Sequence, residues 1–303
     1  MFEAGHPAIL SASDIGHVAM RAMRDLGRTR VGAVFQSSFY LETPGPWVCV
    51  TGRTADMGPL SVRLDVPGST DWRGYGICRG TPANVDANLI NVHPGLRITC
   101  RISSPWTPAL PTRFTSHSLR RGLAYTAGWA RTNLRVDEGL GCFILPHPNR
   151  GAISAAATRA IHPIEQLRRW LVSEIVDLHR PAQVPPTVIN ELPGLGPGLT
   201  PSGDDFLGGA MVALHLIGCS DTARRLFDAI KANSDLNCNP ISASHLEAAA
   251  EGSCSAPIHA ALSAVLAADT NTLPSNLERI GRIGHTSGWD TLAGAVTVLR
   301  VWP

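Results

Sequence analysis

Thr200, Ser202, Asp204 and Asp205 stand side by side directly after three alternating glycines, Gly194, Gly196 and Gly198. The whole stretch reads Gly194-Leu-Gly-Pro-Gly-Leu-Thr-Pro-Ser-Gly-Asp-Asp-Phe206. Hydroxyls and carboxylates crowded this closely can hold a polar substrate and move its protons. Gly196, Gly198 and Gly203 open backbone conformations closed to other residues, and Pro197 and Pro201 fix their own dihedrals, so the loop has a defined shape. From Asp204 onward, Phe206, Leu207, Ala210, Met211, Leu214 and Ile217 recur at helical spacing, which places the loop at the entrance of a buried helix. Free N–H groups and the helix dipole there favour an anion: a phosphate, a carboxylate or a developing oxyanion. Asp204 and Asp205 compete for that positive end. They cap the helix, accept N–H bonds from a substrate, or hold Mg²⁺, with Asp204 as the natural cap and Asp205 as the functional carboxylate.

The device recurs 85 residues later. Ser202-Gly-Asp-Asp-Phe-Leu-Gly-Gly-Ala-Met-Val-Ala-Leu214 laid over Ser287-Gly-Trp-Asp-Thr-Leu-Ala-Gly-Ala-Val-Thr-Val-Leu299 gives seven identities in thirteen positions. Ser202 matches Ser287, Gly203 matches Gly288 and Asp205 matches Asp290. Each copy is a hydroxyl-glycine turn with a carboxylate in the first helical turn and a small residue for close packing. As a structural repeat, the two would aim Asp205 and Asp290 into one pocket; as composition, they would not meet. His285, beside Thr286, Ser287 and Gly288, is the histidine best placed for proton transfer, and its structural alternative is a hydrogen-bonding cap. The catalytic candidates are therefore Asp205, His285 and Asp290. The anion-binding candidates are Gly196, Gly198, Thr200, Ser202, Gly203, Thr286, Ser287 and Gly288, and a metal would fall to Asp204, Asp205 and Asp290.

Several chemistries are disfavoured. No Lys follows the last glycine of the loop, so it is not a Walker loop, and the dinucleotide fingerprint is absent. Neither a His-Glu-x-x-His nor a Gly-x-Ser-x-Gly motif occurs. A net charge of +2 without a basic run argues against nucleic acid. The seven cysteines are odd in number and widely spaced, which suits reduced thiols and a cytoplasmic protein better than a disulfide framework. No secretory or membrane segment is expected.

These residues must be positioned by a fold of class α+β. Short β-rich runs at Val31 to Leu41, Trp47 to Thr51, Leu60 to Val66, Leu89 to Val92 and Leu96 to Ile102 suggest an antiparallel, barrel-like domain over 1–110. A capped helix is expected before them, from Ser11 to Leu26. The proline-rich Ser103 to Pro111 marks a boundary, and 111–303 reads as mainly α-helical. Helices are expected from Ser116, after Pro163, from Asp204, at Asp221 to Ala232, Ser242 to Glu251, Ala256 to Ala268 and Ser275 to Ile280, and at the end near Trp302. Val188 and Ile189 read as a brief extended piece.

GLGPGLTPSGDDFL, from Gly194 to Leu207, resembles the signature of a bacterial family long described only as a domain of unknown function, which includes the AllH subunit of oxamate carbamoyltransferase. Ile241 to Gly252 and Gly284 to Gly294 resemble its second and third blocks, so the resemblance spans about Glu191 to Arg300. It implies a carbamoyltransferase, or a subunit of one, in allantoin and purine nitrogen catabolism: oxalurate and phosphate would give oxamate and carbamoyl phosphate, with other carbamoyltransferase subunits as partners. On the loop, phosphate or the oxalurate carboxylate would meet the N–H groups, Asp205 or Asp290 would accept from the carbamoyl nitrogen, and His285 would protonate the leaving nitrogen. Two alternatives stand beside this: a metal-dependent hydrolase with an Asp-lined helical site, and a non-catalytic binding or regulatory subunit of a complex.

Overall fold

The structure, a computed structural model, describes residues 7–86, 88–109, 113–135, 137–148, 153–176, 182–233 and 239–303. They form two compact units, Met1–Pro108 and Ala109–Pro303.

The first unit is a closed barrel. Its strands are β1 (Ala8–Ile15), β2 (Gly27–Val34), β3 (Ser38–Leu41), β4 (Val48–Thr51), β5 (Ser61–Leu64), β6 (Pro82–Asp86), β7 (Leu89–Val92) and β8 (Leu96–Thr99). Their order around the barrel is β1-β5-β4-β3-β2-β6-β7-β8. Alternating residues point inward, as the two-residue period of a strand requires, and Phe39, Leu41, Val50, Val62, Leu64, Ile90 and Ile98 are fully buried. Trp72 packs edge-on against Phe39 at 5.2 Å.

The barrel is mostly antiparallel, but β1 pairs with β8, and β4 with β5, in parallel. The helix expected from Ser11 to Leu26 divides instead: Ala8–Ile15 is a strand, and only His17–Met23 (α1) is helical. Ala8, Leu10 and Ala12 lean on the barrel core while their neighbours face out, and β1 supplies the rung that closes β5 to β8. The run from Val31 to Leu41 also divides, folding into the antiparallel pair β2 and β3.

The second unit is helical: α2 (Ser116–Asn133), α3 (Ala155–Ile175), α4 (Pro186–Glu191), α5 (Ser202–Leu216), α6 (Ser220–Ala232), α7 (Pro240–Ala250), α8 (Ala256–Ala267), α9 (Leu273–Ile280) and α10 (Ser287–Leu299). Helix α3 begins eight residues before Pro163, because the Ser154 hydroxyl accepts from Ala157 N–H and caps it; Pro163 is absorbed inside. Val188 and Ile189 are helical in α4, with Pro186 at its first position. Leu178, at the expected end of α3, and Pro111, Pro181 and Cys238 lie outside the described residues.

Helices α5 and α10 are apolar on nearly every face and lie at the centre of this unit. They approach closely through glycine. A Cβ on Gly209 would fall 1.8 Å from the carbonyl oxygen of Thr291, and one on Gly294 would fall 1.8 Å from that of Phe206. Position 209 corresponds to 294 and position 206 to 291, so the contact is its own mirror: each copy does to the other what the other does to it, as a two-fold axis requires.

Candidate functional site

The same reciprocity governs the polar residues at the starts of α5 and α10. The hydroxyls of Ser287 and Thr200 lie against Asp205 and favour its charged form, while those of Ser202 and Thr286 do the same for Asp290. Each carboxylate is thus held by the serine of the other copy. Above them, Thr200 Oγ1 and Ser287 Oγ are 2.9 Å apart and join the two turns directly.

Burial raises the proton affinity of both acids. Desolvation pushes Asp205 well above the ordinary carboxylate value, opposed by Ser287 and reinforced by the charges of Asp290 and Asp204. Asp290, 0% exposed, is raised by desolvation against the N–H of Leu140, Ser202, Thr286 and the N–H of Gly141. Oδ2 of Asp205 and Oδ2 of Asp290 are both buried with no hydrogen-bond partner among the described residues. A buried acceptor in that condition is costly unless it holds a proton or meets a ligand.

The segment that clamps Asp290 carries no motif the sequence reading weighed. Leu140 N–H donates to Asp290 Oδ1 at 2.5 Å. Gly139, with φ of +54°, lies so close that a Cβ would meet Asp290 Oδ1 at 2.5 Å. The Ser154 hydroxyl holds Gly139 through its carbonyl at 2.7 Å. Arg300, just past α10, donates to the carbonyls of Phe143, Ile144 and Leu145 and ties the same segment down. The available signal was the glycine pair of Glu138-Gly-Leu-Gly141. Its meaning appears only once α10 brings Asp290 to it. Cys142 beside it is pushed up to about 12 by burial and the Asp290 charge, so its thiol stays protonated at neutral pH.

The remaining candidates separate into three groups. Gly196 and Gly198 adopt φ of +108° and +98° and shape the turn over Ser202, as the glycine-proline run predicts. Their N–H groups make no hydrogen bond among the described residues; Gly198 is exposed and Gly196 half-buried. Gly203 and Gly288 are different. Their N–H groups are committed to Leu195 and Ile283 carbonyls, and a Cβ would collide with the carbonyl oxygens of Leu192 and Ile280, so they serve packing and not anion binding.

Asp204 does not cap α5. Its Oδ1 accepts from Gly194 N–H at 2.8 Å and its Oδ2 from the Ser242 hydroxyl at 2.6 Å, so it fastens the far end of the loop to α7. With both oxygens engaged it is withdrawn from the metal set. Among the described residues no group of three or more His, Cys, Asp or Glu side chains is arranged to hold a metal ion. The Asp204, Asp205 and Asp290 set therefore does not fit Mg²⁺.

His285 is apart from the carboxylate pair in its contacts. Its ring is 81% exposed, and its Nε2 lies 2.9 Å from Glu138 Oε2. A bond 2.9 Å long from Arg135 reaches the other oxygen of the same glutamate.

No helix among the described residues is long and apolar enough to cross a membrane. No solved structure matches the chain. Residues 192–299, which contain both turns and both aspartates, match the family model described as oxamate carbamoyltransferase subunit AllH.

Proposed function

We propose that the chain is a carbamoyltransferase subunit whose two facing turns bind a small anionic carbamoyl compound. The observation that carries the reading is Asp205: half-buried, raised in proton affinity, with a buried oxygen that has no hydrogen-bond partner among the described residues, close to the Thr200 and Ser287 hydroxyls and to a loop in which the Gly196 and Gly198 N–H groups are unengaged among the described residues. The family match over residues 192–299 supports this reaction class. A carboxylate or phosphate suits the Gly196 and Gly198 N–H groups. In transfer between oxalurate and phosphate, a phosphate oxygen forms a bond to the carbamoyl carbon, the bond from that carbon to the oxamate nitrogen breaks, and a proton must reach that nitrogen. Asp205, which burial keeps inclined to hold a proton, takes the acid's part that the sequence reading gave to His285. Donors from the Ser287 hydroxyl and the loop would meet the oxyanion on the carbamoyl carbon.

Titrating the full chain with carbamoyl phosphate, oxamate and phosphate by calorimetry tests the reading. Saturable heat with at least one of them, weakened at least about tenfold in Asp205→Asn, is expected. Binding equal to wild type in that variant would refute the role of Asp205.

A second reading, a non-catalytic subunit that docks a partner through the loop, is favoured by Leu199. This residue stands 42% exposed between Pro197 and Pro201. No heat from any of the three ligands, together with a partner complex that Leu199→Glu dissolves, would establish it instead.

A further inference from the structure

Behind the second turn lies a cavity of about 560 Å³ that belongs to neither aspartate. One wall is aromatic: the rings of Trp129, on α2, and Trp289, on α10, are 5.5 Å apart and tilted by 30°. Gly281 keeps that wall open, since a Cβ there would come within 3.1 Å of the Trp289 ring. The rim is charged. Arg282 lines the cavity, is exposed, and has no side-chain hydrogen bond or ion pair among the described residues. Glu138 and Glu278 line it as well, and His285 bridges to Glu138 across its edge.

A volume of this size is in the range of small-molecule sites, and flat aromatic walls with a few charged groups are their usual make-up. Indole faces select planar rings. An unpaired guanidinium selects a carboxylate or phosphate and can hold it with two parallel bonds. The Glu138 and Glu278 carboxylates, which also line the cavity, accept N–H bonds. We infer that this cavity is a binding site for a planar nitrogen heterocycle that carries an anionic group, with the ring against Trp129 and Trp289 and the anion on Arg282.

The inference goes beyond carbamoyl transfer and does not rest on it. The site would nonetheless adjoin the carboxylate pair. Glu138 on its rim is two residues from Leu140, whose N–H holds Asp290, and Thr286 both lines the cavity and lies against Asp290.

The test is calorimetric titration of the full chain with orotate and with uridine 5′-monophosphate, the first offering a ring carboxylate and the second a ring and a phosphate. Saturable binding of either, with Kd below about 1 mM, is expected, and which one binds identifies the anion. Arg282→Ala, a change at an exposed position, should weaken it at least about tenfold, and Trp289→Leu likewise. Asp205→Asn should leave it unchanged, so loss of this site and loss of the carbamoyl site are distinguishable. Failure of both compounds to saturate by about 10 mM, or full retention of binding in Arg282→Ala, would overturn the inference.

Discussion

The turn that starts α5 and the turn that starts α10 use one scaffold for two different ends. Both place a serine, a glycine and an aspartate at the same spacing, both hold the other's aspartate, and both cross the partner helix at a glycine. Within the first four positions of the turn they part at one. Where the first turn has Asp204, whose carboxylate ties Gly194 and Ser242 into the interior, the second has Trp289, whose ring faces outward onto Trp129. The glycine-rich loop stands only on the first copy. The clamp of Leu140 and Gly141 serves only the second. A two-fold packing core thus fixes where the two turns meet, while the residues beside it bury Asp290 completely and leave Asp205 half-buried with its Oδ2 enclosed.

The largest expected effect breaks the shared core. Gly209→Ala and Gly294→Ala each drive a methyl group into a backbone carbonyl that cannot yield, and each should cost about 3 kcal/mol or more in urea unfolding. Near-equal losses would support the two-fold packing. A large loss at one site and none at the other would break it.

The next prediction separates the copies. Asp204→Ala removes the acceptor from the buried Ser242 hydroxyl and from the Gly194 N–H and should cost about 2 kcal/mol by the same measurement. Trp289→Phe at the matching position keeps an aromatic ring in a half-buried place and should cost about 1 kcal/mol or less. A reversal of that order would mean that Asp204 is not a fastening residue.

A smaller effect concerns pH. Asp205 and Asp290 have folded-state pKa values raised above the unfolded value of 3.8. The folded chain therefore holds these protons more tightly than the unfolded chain does. Their stabilising contribution is complete below the unfolded pKa and drains away as pH rises through the folded values. Asp205→Asn cannot ionise, so its Tm should rise relative to wild type as pH goes from about 4 to about 7.5. A relative Tm that falls over that interval would contradict the raised value.

The smallest effect is a control. Gly128 lies inside α2 with open space around its Cβ position, so Gly128→Ala should stabilise by about 0.5 to 1 kcal/mol through helix propensity alone. Destabilisation there would show that glycine substitution in this unit is harmful for reasons other than close approach.

The order of β-rich and helical halves was legible because strand and helix periods differ, and the repeat was legible because close packing demands glycine at Gly209 and Gly294. What escaped was whatever depends on distant partners. Ala8–Ile15 has an apolar period loose enough for either structure, and it becomes a strand because the barrel needs a rung between β5 and β8. Gly203 and Gly288 looked like anion donors, yet their N–H groups are claimed by carbonyls eight and five residues earlier. Asp204 and Asp205 are adjacent and identical in type. Only the helix rotation between them sends one inward to Ser242 and the other to Ser287.

The central claim is that Asp205 and Asp290 meet across the two turns and feel each other's charge. Carboxyl carbon NMR titration of Asp205, in the wild type and in Asp290→Asn, measures it most directly. The account predicts a wild-type Asp205 pKa above the usual carboxylate range and a lower one in the variant, because removing the neighbouring negative charge makes ionisation easier. An Asp205 that titrates near 4 in both proteins would contradict it.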